Sequence, residues 1–410
     1  MKPNNRGRIV VIGGGAAGFF AAIHAAFNYK DKEVILLEKT NKLLSKVKVS
    51  GGGRCNVTHA CFDIQQLVKH YPRGEKQLIQ AFHQFNTMHT VEWFESREVK
   101  LKTENDGRMF PVSNSSQSIV DCLMQEAEKL GVRIWLQTKA LEIKRDSRGF
   151  QLKLENKEEL ICEKLIAANG GSSKNSDYEW LKQLGHTVVP PVPSLFTFNV
   201  PNAPITALMG LSVQQVKVSI SGSKLVQQGP ILITHWGFSG PAILKLSAWG
   251  ARILSETNYA FEFRINWLPQ FHFDSLMAFF ANIKSERSAK QVKSCPWIEI
   301  PKRLWEYFIN KAAISEDLKW ADISKKQMNK LTEIICNDSY QAKGKTTFKE
   351  EFVTCGGVEL AEVDFKTMQS KVAPNLFFAG ELLDIDGVTG GFNFQAAWTT
   401  AWIAAKHLYD

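Results

Sequence analysis

The first forty residues alternate between patterns typical of buried strands and of helices. Residues 8–12 (RIVVI) form a short β-branched run, which is typical of a strand buried on both faces of a parallel sheet. An alanine-rich helical stretch follows over 19–27, and a second apolar run over 33–38 ends in an acidic residue. The order strand, helix, strand predicts a βαβ unit of the kind found in α/β domains.

The rest of the chain changes its pattern several times. Residues 133–160 alternate like a β-meander, and 164–168 are typical of a buried strand that rejoins the parallel sheet. After the proline-rich stretch 189–193, residues 194–266 alternate as short strands, and 268–345 have a helical, lysine-rich pattern. We therefore predict an α/β fold with an α+β insert, divided as a first domain part (1–193), an inserted antiparallel β-domain (194–267), a helical subdomain (268–348) and a second domain part (349–410).

A glycine motif joins the first strand to the first helix. Gly13, Gly15 and Gly18 form GxGxxG, and Glu38 follows Gly18 by 20 residues (38 − 18) at the end of the second strand. A glycine permits the tight turn, a missing side chain lets a pyrophosphate approach, and the helix N-terminus offers N–H groups to it. This predicts a dinucleotide site that includes Ala16, Ala17 and Lys39, with Glu38 at the ribose. A glycine-rich turn without ligand is the alternative.

Two further segments extend the predicted site. Residues 46–58 contain three consecutive glycines, which allow backbone to lie against a flat ligand, followed by polar side chains; a flexible loop is the alternative. Residues 375–393 predict a strand, an acidic loop, a glycine pair and a helix N-terminus that favours negative charge; a plain β-turn-α unit is the alternative. The candidate cofactor contacts here are Lys46, Ser50, Gly51, Gly52, Arg54, Cys55, Asn56, Thr58, Gly380, Glu381, Gly390, Gly391, Phe392 and Asn393.

Five motifs spread over the chain resemble one known family, the HI0933-like or aminoacetone-oxidase-like FAD-binding flavoproteins. They are GGGAAG (13–18), VSGGGRCNVT (49–58), GRMFPVS (107–113), THWGFSGPAIL (234–244) and AGELLDIDGVTGGFNFQAAW (379–398). The resemblance implies a Rossmann-like, glutathione-reductase-type FAD domain interrupted by an insert. It also implies FAD as the cofactor, which we expect to be non-covalent, with Ala140, Ala168 and Gly170 as additional contacts. Some family members resemble amine oxidases, and others resemble reductases of conjugated enones.

Composition limits the possible functions without choosing one. Fifty Lys and Arg against forty-one Asp and Glu leave a net charge of +9, which suits a phosphate-rich cofactor, an acidic substrate or nucleic acid. The seven cysteines form no CxxC pair, and no His/Cys cluster has zinc spacing, so we expect neither a disulfide framework nor a metal site. The sequence contains no apolar run long enough to span a membrane. We expect a cytoplasmic protein that acts on a small molecule, without a membrane partner.

The expected reaction is a flavin-dependent oxidation or reduction. No second GxGxxG is present, so NAD(P)H would have to dock transiently as an electron donor. We favour NAD(P)H-linked reduction of a C=C or C=N bond slightly over amine oxidation. A flavin-containing RNA-binding or RNA-modifying protein is the alternative, although a nucleic-acid partner is the less favoured interpretation.

Two residues are catalytic candidates. Cys55 could supply a thiolate near the flavin, with a buried packing thiol as the alternative. His235 could transfer a proton, with a structural histidine as the alternative.

Overall fold

The computed structural model describes residues 7–294, 299–346 and 353–410. The chain folds into two compact units: residues 7–194 with 353–410 form the first, and the described part of 195–346 forms the second. The first unit is therefore made of two separate stretches of chain, with a contiguous segment inserted between them.

The first stretch of the first unit alternates strands and helices, as its hydrophobic pattern predicts. It contains β1 (Arg8–Ile12), α1 (Ala16–Asn28), β2 (Glu33–Leu37), α2 (Ser45–Gly53), β3 (Thr58–His59), α3 (Ile64–Leu67), α4 (Glu75–Gln84), α5 (Thr87–Glu95), β4 (Leu101–Thr103), β5 (Arg108–Pro111), α6 (Gln117–Lys129), β6 (Arg133–Trp135), β7 (Ala140–Asp146), β8 (Gly149–Leu154), β9 (Glu159–Cys162), β10 (Lys164–Ala167), α7 (Glu179–Gln183) and β11 (Val188–Ser194).

The second unit combines an antiparallel sheet with four helices. It contains β12 (Thr197–Asn199), β13 (Ser212–Ile220), β14 (Val226–Thr234), β15 (Gly237–Ser239), α8 (Pro241–Glu256), β16 (Ala260–Asn266), α9 (Phe273–Glu286), α10 (Lys302–Lys311), α11 (Lys325–Asn337), β17 (Asp338–Lys343) and β18 (Lys345–Thr346). The chain then returns to the first unit with β19 (Val353–Val358), β20 (Val363–Asp364), β21 (Gln369–Ser370), β22 (Leu376–Phe378) and α12 (Phe392–Lys406).

A seven-stranded sheet in the order β20-β21-β22-β10-β1-β2-β6 is the centre of the first unit. Its strands β22, β10, β1, β2 and β6 are parallel. The chain leaves β1 for β2 on one side and later returns to β10 on the other. Ligands of such sheets bind outside the carboxyl ends of the strands where the order reverses. The sheet therefore places a binding crevice beyond the ends of β1 and β10.

The Rossmann-like α/β fold with a β-sheet insertion is confirmed. Strand β6 differs from the prediction, because it pairs with β2 in the parallel sheet and only β7, β8 and β9 form the antiparallel excursion. Helix α12 packs along α1, where the rings of Phe20 and Trp398 lie 5.2 Å apart between centroids.

The strands of the second unit follow the order β17-β16-β13-β14-β15-β12-β18. Two local predictions are wrong here: 241–256 is a helix within the region expected to be all strand, and 338–343 is a strand within the region expected to be helical. The burial of 338–343 alternates strictly because one face of the strand covers the core.

One hydrophobic core serves the whole second unit. It joins strand residues such as Phe263 to helix residues such as Phe308 and Leu331. The finer division of this segment into 194–267 and 268–348 stays a prediction.

Candidate functional site

The turn between β1 and α1 is shaped by its glycines. Gly13 has φ +111°, and a Cβ there would overlap the Ala168 carbonyl, while a Cβ on Gly18 would overlap the Gly13 carbonyl. A Cβ on Gly15, in contrast, would meet no described atom within 4 Å. Two glycines therefore allow backbone to pack against backbone, and the third leaves open space in front of the helix.

The N-terminus of α1 faces that space without a side-chain cap from the described part of the chain. Among the described residues, no side chain caps this helix, and its first turn, which includes Ala16 and Ala17, carries no acidic residue. The free N–H groups and the helix dipole together favour a negatively charged ligand. A cofactor diphosphate fits this position.

Glu38 lies next to the same turn. One of its carboxylate oxygens accepts a hydrogen bond from the Gly14 N–H at 2.8 Å, and the other accepts from Thr40 N and Oγ1, each at 2.8 Å. The carboxylate is thus fixed at the end of β2, beside the glycine turn, as expected for a ribose contact. Lys39 is exposed. The spacing of the motif identified Glu38, but Thr40, which orients it, carried no signal that we recognised.

The glycine segment after α2 adopts a backbone that other residues rarely adopt. Helix α2 is interrupted at Ser50 (ψ 150°), and Gly51, Gly52 and Gly53 have φ of 58°, 69° and 82°. A Cβ on Gly52 or Gly53 would meet no described atom within 4 Å. This exposed left-handed backbone can lie flat against a ligand.

The polar residues that follow are already engaged within the protein. Arg54 forms an ion pair with Glu104 (2.6 Å) and covers the Phe110 ring (4.0 Å to the centroid). Thr58 donates to Gln395 at 2.6 Å from a buried position. These side chains hold the loop in place, and Glu104 was not anticipated from the sequence.

Asn56 connects the glycine segment to the C-terminal helix. Its amide nitrogen donates to the Thr58 and Met109 carbonyls (2.9 and 3.2 Å), and its oxygen accepts from the Gly391 N–H (3.0 Å). Both predicted segments are therefore brought together by one side chain.

Cys55 is a packing residue in this geometry. Its side chain is fully buried, and burial raises the pKa of the thiol to about 12. A reactive thiolate at neutral pH is therefore unfavourable.

His235 belongs to the second unit. It is exposed in the turn between β14 and β15, in edge contact with Trp236 at 4.3 Å between ring centroids.

The loop before α12 is held by several short contacts. Arg73 pairs with the buried carboxylate of Asp386, which also accepts from Ser194 Oγ at 2.5 Å. The side chain of Asn393 exchanges two 2.8 Å hydrogen bonds with the backbone of Gly387.

The last residues of this loop are held in the same way. His59 Nδ1 lies 3.0 Å from the Gly390 carbonyl, and the Tyr71 hydroxyl donates to the Phe392 carbonyl at 2.7 Å. The positive φ of Gly390 (129°) and Gly391 (94°) leads directly into the helix N-terminus. This N-terminus is therefore fixed in advance of any ligand.

A third group surrounds Glu381 at the end of β22. Glu381 pairs with Lys46 (2.6 Å) and accepts from the Thr354 N–H (2.8 Å). The hydroxyl of Thr354 is buried without a hydrogen-bond partner among the described residues. A buried hydroxyl of this kind beside a carboxylate fits a polyhydroxylated ligand such as the ribityl chain of a flavin.

The remaining predicted contacts are backbone positions. Gly380 (φ +72°) packs its Cα against Ala17, and Gly170 leaves room where a Cβ would stand. Ala168 follows β10 at the crevice, whereas Ala140 starts β7 and pairs with Leu154 in a separate sheet. The cofactor contacts of all these residues stay predictions.

No described helix is long and apolar enough to cross a membrane.

The similarity to known proteins extends over nearly the whole chain. The family model described as HI0933-like protein Rossmann domain matches residues 7–407. A ribosomal RNA dihydrouridine synthase of Escherichia coli (strain K12) is 31% identical, covering 97% of both chains. A 3-dehydro-bile acid delta(4,6)-reductase of Clostridium scindens is 26% identical, covering 97% of this chain and 98% of that protein.

Solved structures agree with the fold. The 3-ketosteroid delta1-dehydrogenase of Sterolibacterium denitrificans superposes with a TM-score of 0.51 at 12% identity and 98% coverage of both chains. The 3-ketosteroid-delta4-(5alpha)-dehydrogenase of Rhodococcus jostii RHA1 superposes with a TM-score of 0.50 at 13% identity, covering 97% of this chain and 96% of that one. The glycine-lined site lies within the matched residues and is consistent with the family match. The chain therefore belongs to the HI0933-like family of FAD-dependent oxidoreductases.

Proposed function

We propose that this protein is an NAD(P)H-linked FAD reductase that saturates a C=C bond conjugated to a carbonyl group. The observation that carries the proposal is the reaction common to two relatives with different substrates. A dihydrouridine synthase and a bile acid delta(4,6)-reductase, as named, both reduce a C=C bond conjugated to a carbonyl. Amine oxidation and C=N reduction have no such support.

The proposed cofactor contacts follow the geometry of the first unit. The N-terminus of α1 would hold the diphosphate, Glu38 a ribose, and Glu381 with Thr354 the ribityl hydroxyls. The N-terminus of α12 would lie at the pyrimidine end of the flavin ring, where its dipole favours negative charge. FAD held by these residues would supply hydride transfer from NAD(P)H to the substrate. The substrate would gain a hydride at the β-carbon and a proton from solvent at the α-carbon, while NAD(P)H would be oxidised to NAD(P)+.

The uracil ring of RNA is the substrate that we favour within this class. Uracil contains a C=C bond conjugated to a carbonyl, and the 31% identical relative is named for this reaction on ribosomal RNA. The charge of the chain adds a second observation. Residues 195–347 carry 18 Lys and Arg and 11 Asp and Glu (18 − 11 = +7), whereas the rest of the chain has only +2 (32 − 30). A small enone is the second candidate, supported by the bile acid reductase.

Anaerobic stopped-flow with NADH and NADPH tests the electron donor. Any oxidised bound flavin has an absorption band near 450 nm. We expect NADH or NADPH to bleach this band rapidly. The reduced enzyme is then mixed with ribosomal RNA or with a small cyclic enone, and the oxidised enzyme is mixed separately with a primary amine. Reoxidation by RNA with formation of dihydrouridine supports the favoured substrate, and reoxidation by the enone alone supports the second. Bleaching by the amine, without bleaching by either nicotinamide, would contradict the proposal.

A further inference from the structure

An open cleft is lined entirely by residues of the second unit. It has a volume of about 510 Å³ and is bounded by three elements: the segment before Leu208, helix α10 and strand β17. Its walls combine small apolar residues with aromatic and polar ones. The lining residues are Val200, Pro201, Ala203, Pro204, Tyr307, Asn310, Lys311, Ser339, Tyr340 and Gln341.

Two tyrosines give the cleft fixed aromatic surfaces. Tyr340 is buried, its hydroxyl donates to Asp338 at 2.5 Å, and its ring stacks on Phe263 at 5.7 Å between centroids. Tyr307 is half-buried on α10 and also lines the cleft. Rings held in this way lose little freedom when a planar group stacks on them.

A lysine is held beside these rings by a buried carboxylate. Lys311 Nζ lies 2.5 Å from Asp338, 4.9 Å from the centre of the Tyr340 ring and 5.7 Å from that of Tyr307. Asp338 is buried and also accepts from Trp267 Nε1 at 3.1 Å. The ammonium group is therefore fixed at the tyrosines and does not move freely in solvent.

The same face of α10 continues with a second cation. Arg303 precedes Tyr307 by one helical turn, and it is exposed. Its guanidinium donates to the Ala207 carbonyl at 3.3 Å, at the edge of the segment that forms the cleft wall. A guanidinium has five N–H donors, which is more than this bond uses. Along one helix face the order is thus cation, aromatic ring, amide (Asn310) and cation.

We propose that this cleft binds a single-stranded segment of RNA substrate, with a base stacked on Tyr307 and phosphates contacting Arg303 and Lys311. Aromatic surfaces alternating with cations are how proteins bind unpaired nucleotides, because every base has a stacking face and every linkage has a charge. The amides of Asn310 and Gln341 and the hydroxyl of Ser339 supply groups for base edges and for the 2′-hydroxyl. The net charge of +7 of residues 195–347 attracts the polyanion to this unit. The inference rests on RNA as the substrate favoured above.

The test is fluorescence anisotropy of the full FAD-loaded protein with a fluorescein-labelled oligouridylate at low salt. We expect Tyr307→Ala and Arg303→Glu each to weaken binding by about tenfold. Tyr307→Phe keeps the ring and is expected to stay within about twofold of the wild type. Lys224→Glu is the matched control for charge, because Lys224 is exposed in the turn between β13 and β14 and does not line the cleft.

Three results would overturn the proposal. The first is an equal loss of oligouridylate affinity in Arg303→Glu and Lys224→Glu. The second is that the wild type binds a duplex RNA as tightly as the oligouridylate. The third is that the wild type binds no RNA at low salt. Flavin content and NAD(P)H-driven bleaching are measured for every variant, and we expect both to be unchanged. If the wild type binds RNA through this cleft but forms no dihydrouridine, the favoured reaction fails while the docking surface stands. Lys311 is not varied, because its loss would leave Asp338 buried without its cation.

Discussion

At the scale of single residues, Gly15 and Gly18 belong to one motif but have different roles. A side chain at Gly15 would enter open space, whereas a Cβ at Gly18 would overlap the Gly13 carbonyl. We therefore expect Gly15→Val to fold normally and to lose FAD, because the branched side chain occupies the proposed diphosphate position. Gly18→Ala should lose both FAD and stability. The flavin-to-protein absorbance ratio and the thermal midpoint of unfolding measure the two effects.

The comparison between these two variants carries its own control. A folded Gly15→Val protein with normal flavin content would contradict the proposed position of the diphosphate at the N-terminus of α1. An equally stable Gly18→Ala protein would show instead that the turn can open to admit a Cβ.

Cys55 provides a second prediction at this scale. Burial raises the pKa of its thiol to about 12, so the thiolate is scarce at neutral pH. We expect iodoacetamide to leave Cys55 unmodified in the native protein and to label the partly exposed Cys61 faster. Peptide mass spectrometry before and after denaturation measures this. Rapid native labelling of Cys55 would instead support its role as a reactive thiol.

The sequence predicted residues whose partners are close along the chain. Glu38 was found because its distance from Gly18 is set by one βαβ unit, and the structure places it beside the glycine turn. Arg54 was expected to contact the cofactor, yet Glu104 holds it. Nothing local to Arg54 indicates a partner 50 residues away. The pairing of Lys46 with Glu381, both expected at the cofactor, was likewise not visible from either segment.

At the scale of elements, helix α1 has a histidine in its buried face. His24 lies against Phe20 and Trp93, its Nε2 has no hydrogen-bond partner among the described residues, and burial followed by the charge of Arg97 lowers its pKa to about 3. The unfolded chain therefore binds the proton more tightly. The contribution of neutral His24 to the free energy of unfolding is fully present above pH 6.5 and is lost as the pH falls below it. We expect this loss to be about 2 kcal/mol between pH 7 and pH 5.

His24→Leu is expected to remove this component of the pH dependence. Urea unfolding at pH 7 and pH 5 measures it, and the control is His83→Leu on the exposed face of α4. If His24→Leu and the wild type lose the same free energy on acidification, His24 is not the responsible group.

The loop before α12 depends on a buried ion pair. Burial raises the pKa of Asp386, and the adjacent Arg73 opposes that shift. We expect Arg73→Met to cost about 3–5 kcal/mol because it leaves a buried carboxylate without its cation. Arg73→Met combined with Asp386→Asn should cost less, since no buried charge remains. Denaturant unfolding of both variants tests this, and equal losses would show that the charge itself is unimportant.

Element types were predictable where the periodicity was clear, as in β1, α1 and β2. The prediction was wrong at β17, because the alternating sequence DSYQAK was included in the segment that we expected to be helical. Its six residues pair with β16, far away in the sequence, so tertiary pairing decided their structure.

At the scale of the whole molecule, the first unit needs the end of the chain. Strand β22 pairs with β10, and α12 covers α1, ten of whose thirteen residues are buried. We expect a chain truncated after Thr347 to retain no FAD, although it contains the complete GxGxxG motif. Flavin content and protease resistance of the truncated chain measure this, and stoichiometric FAD in it would contradict the expectation.

This dependence on the C-terminus has a consequence during translation. A ribosome finishes the inserted unit long before it releases β22 and α12, so the nascent chain holds an open edge on β10 and an uncovered apolar helix while synthesis continues. Cofactor loading then coincides with closure of the sheet. Free FAD in the cell would act as a late folding ligand, stabilising only molecules in which β22 and α12 have emerged and docked.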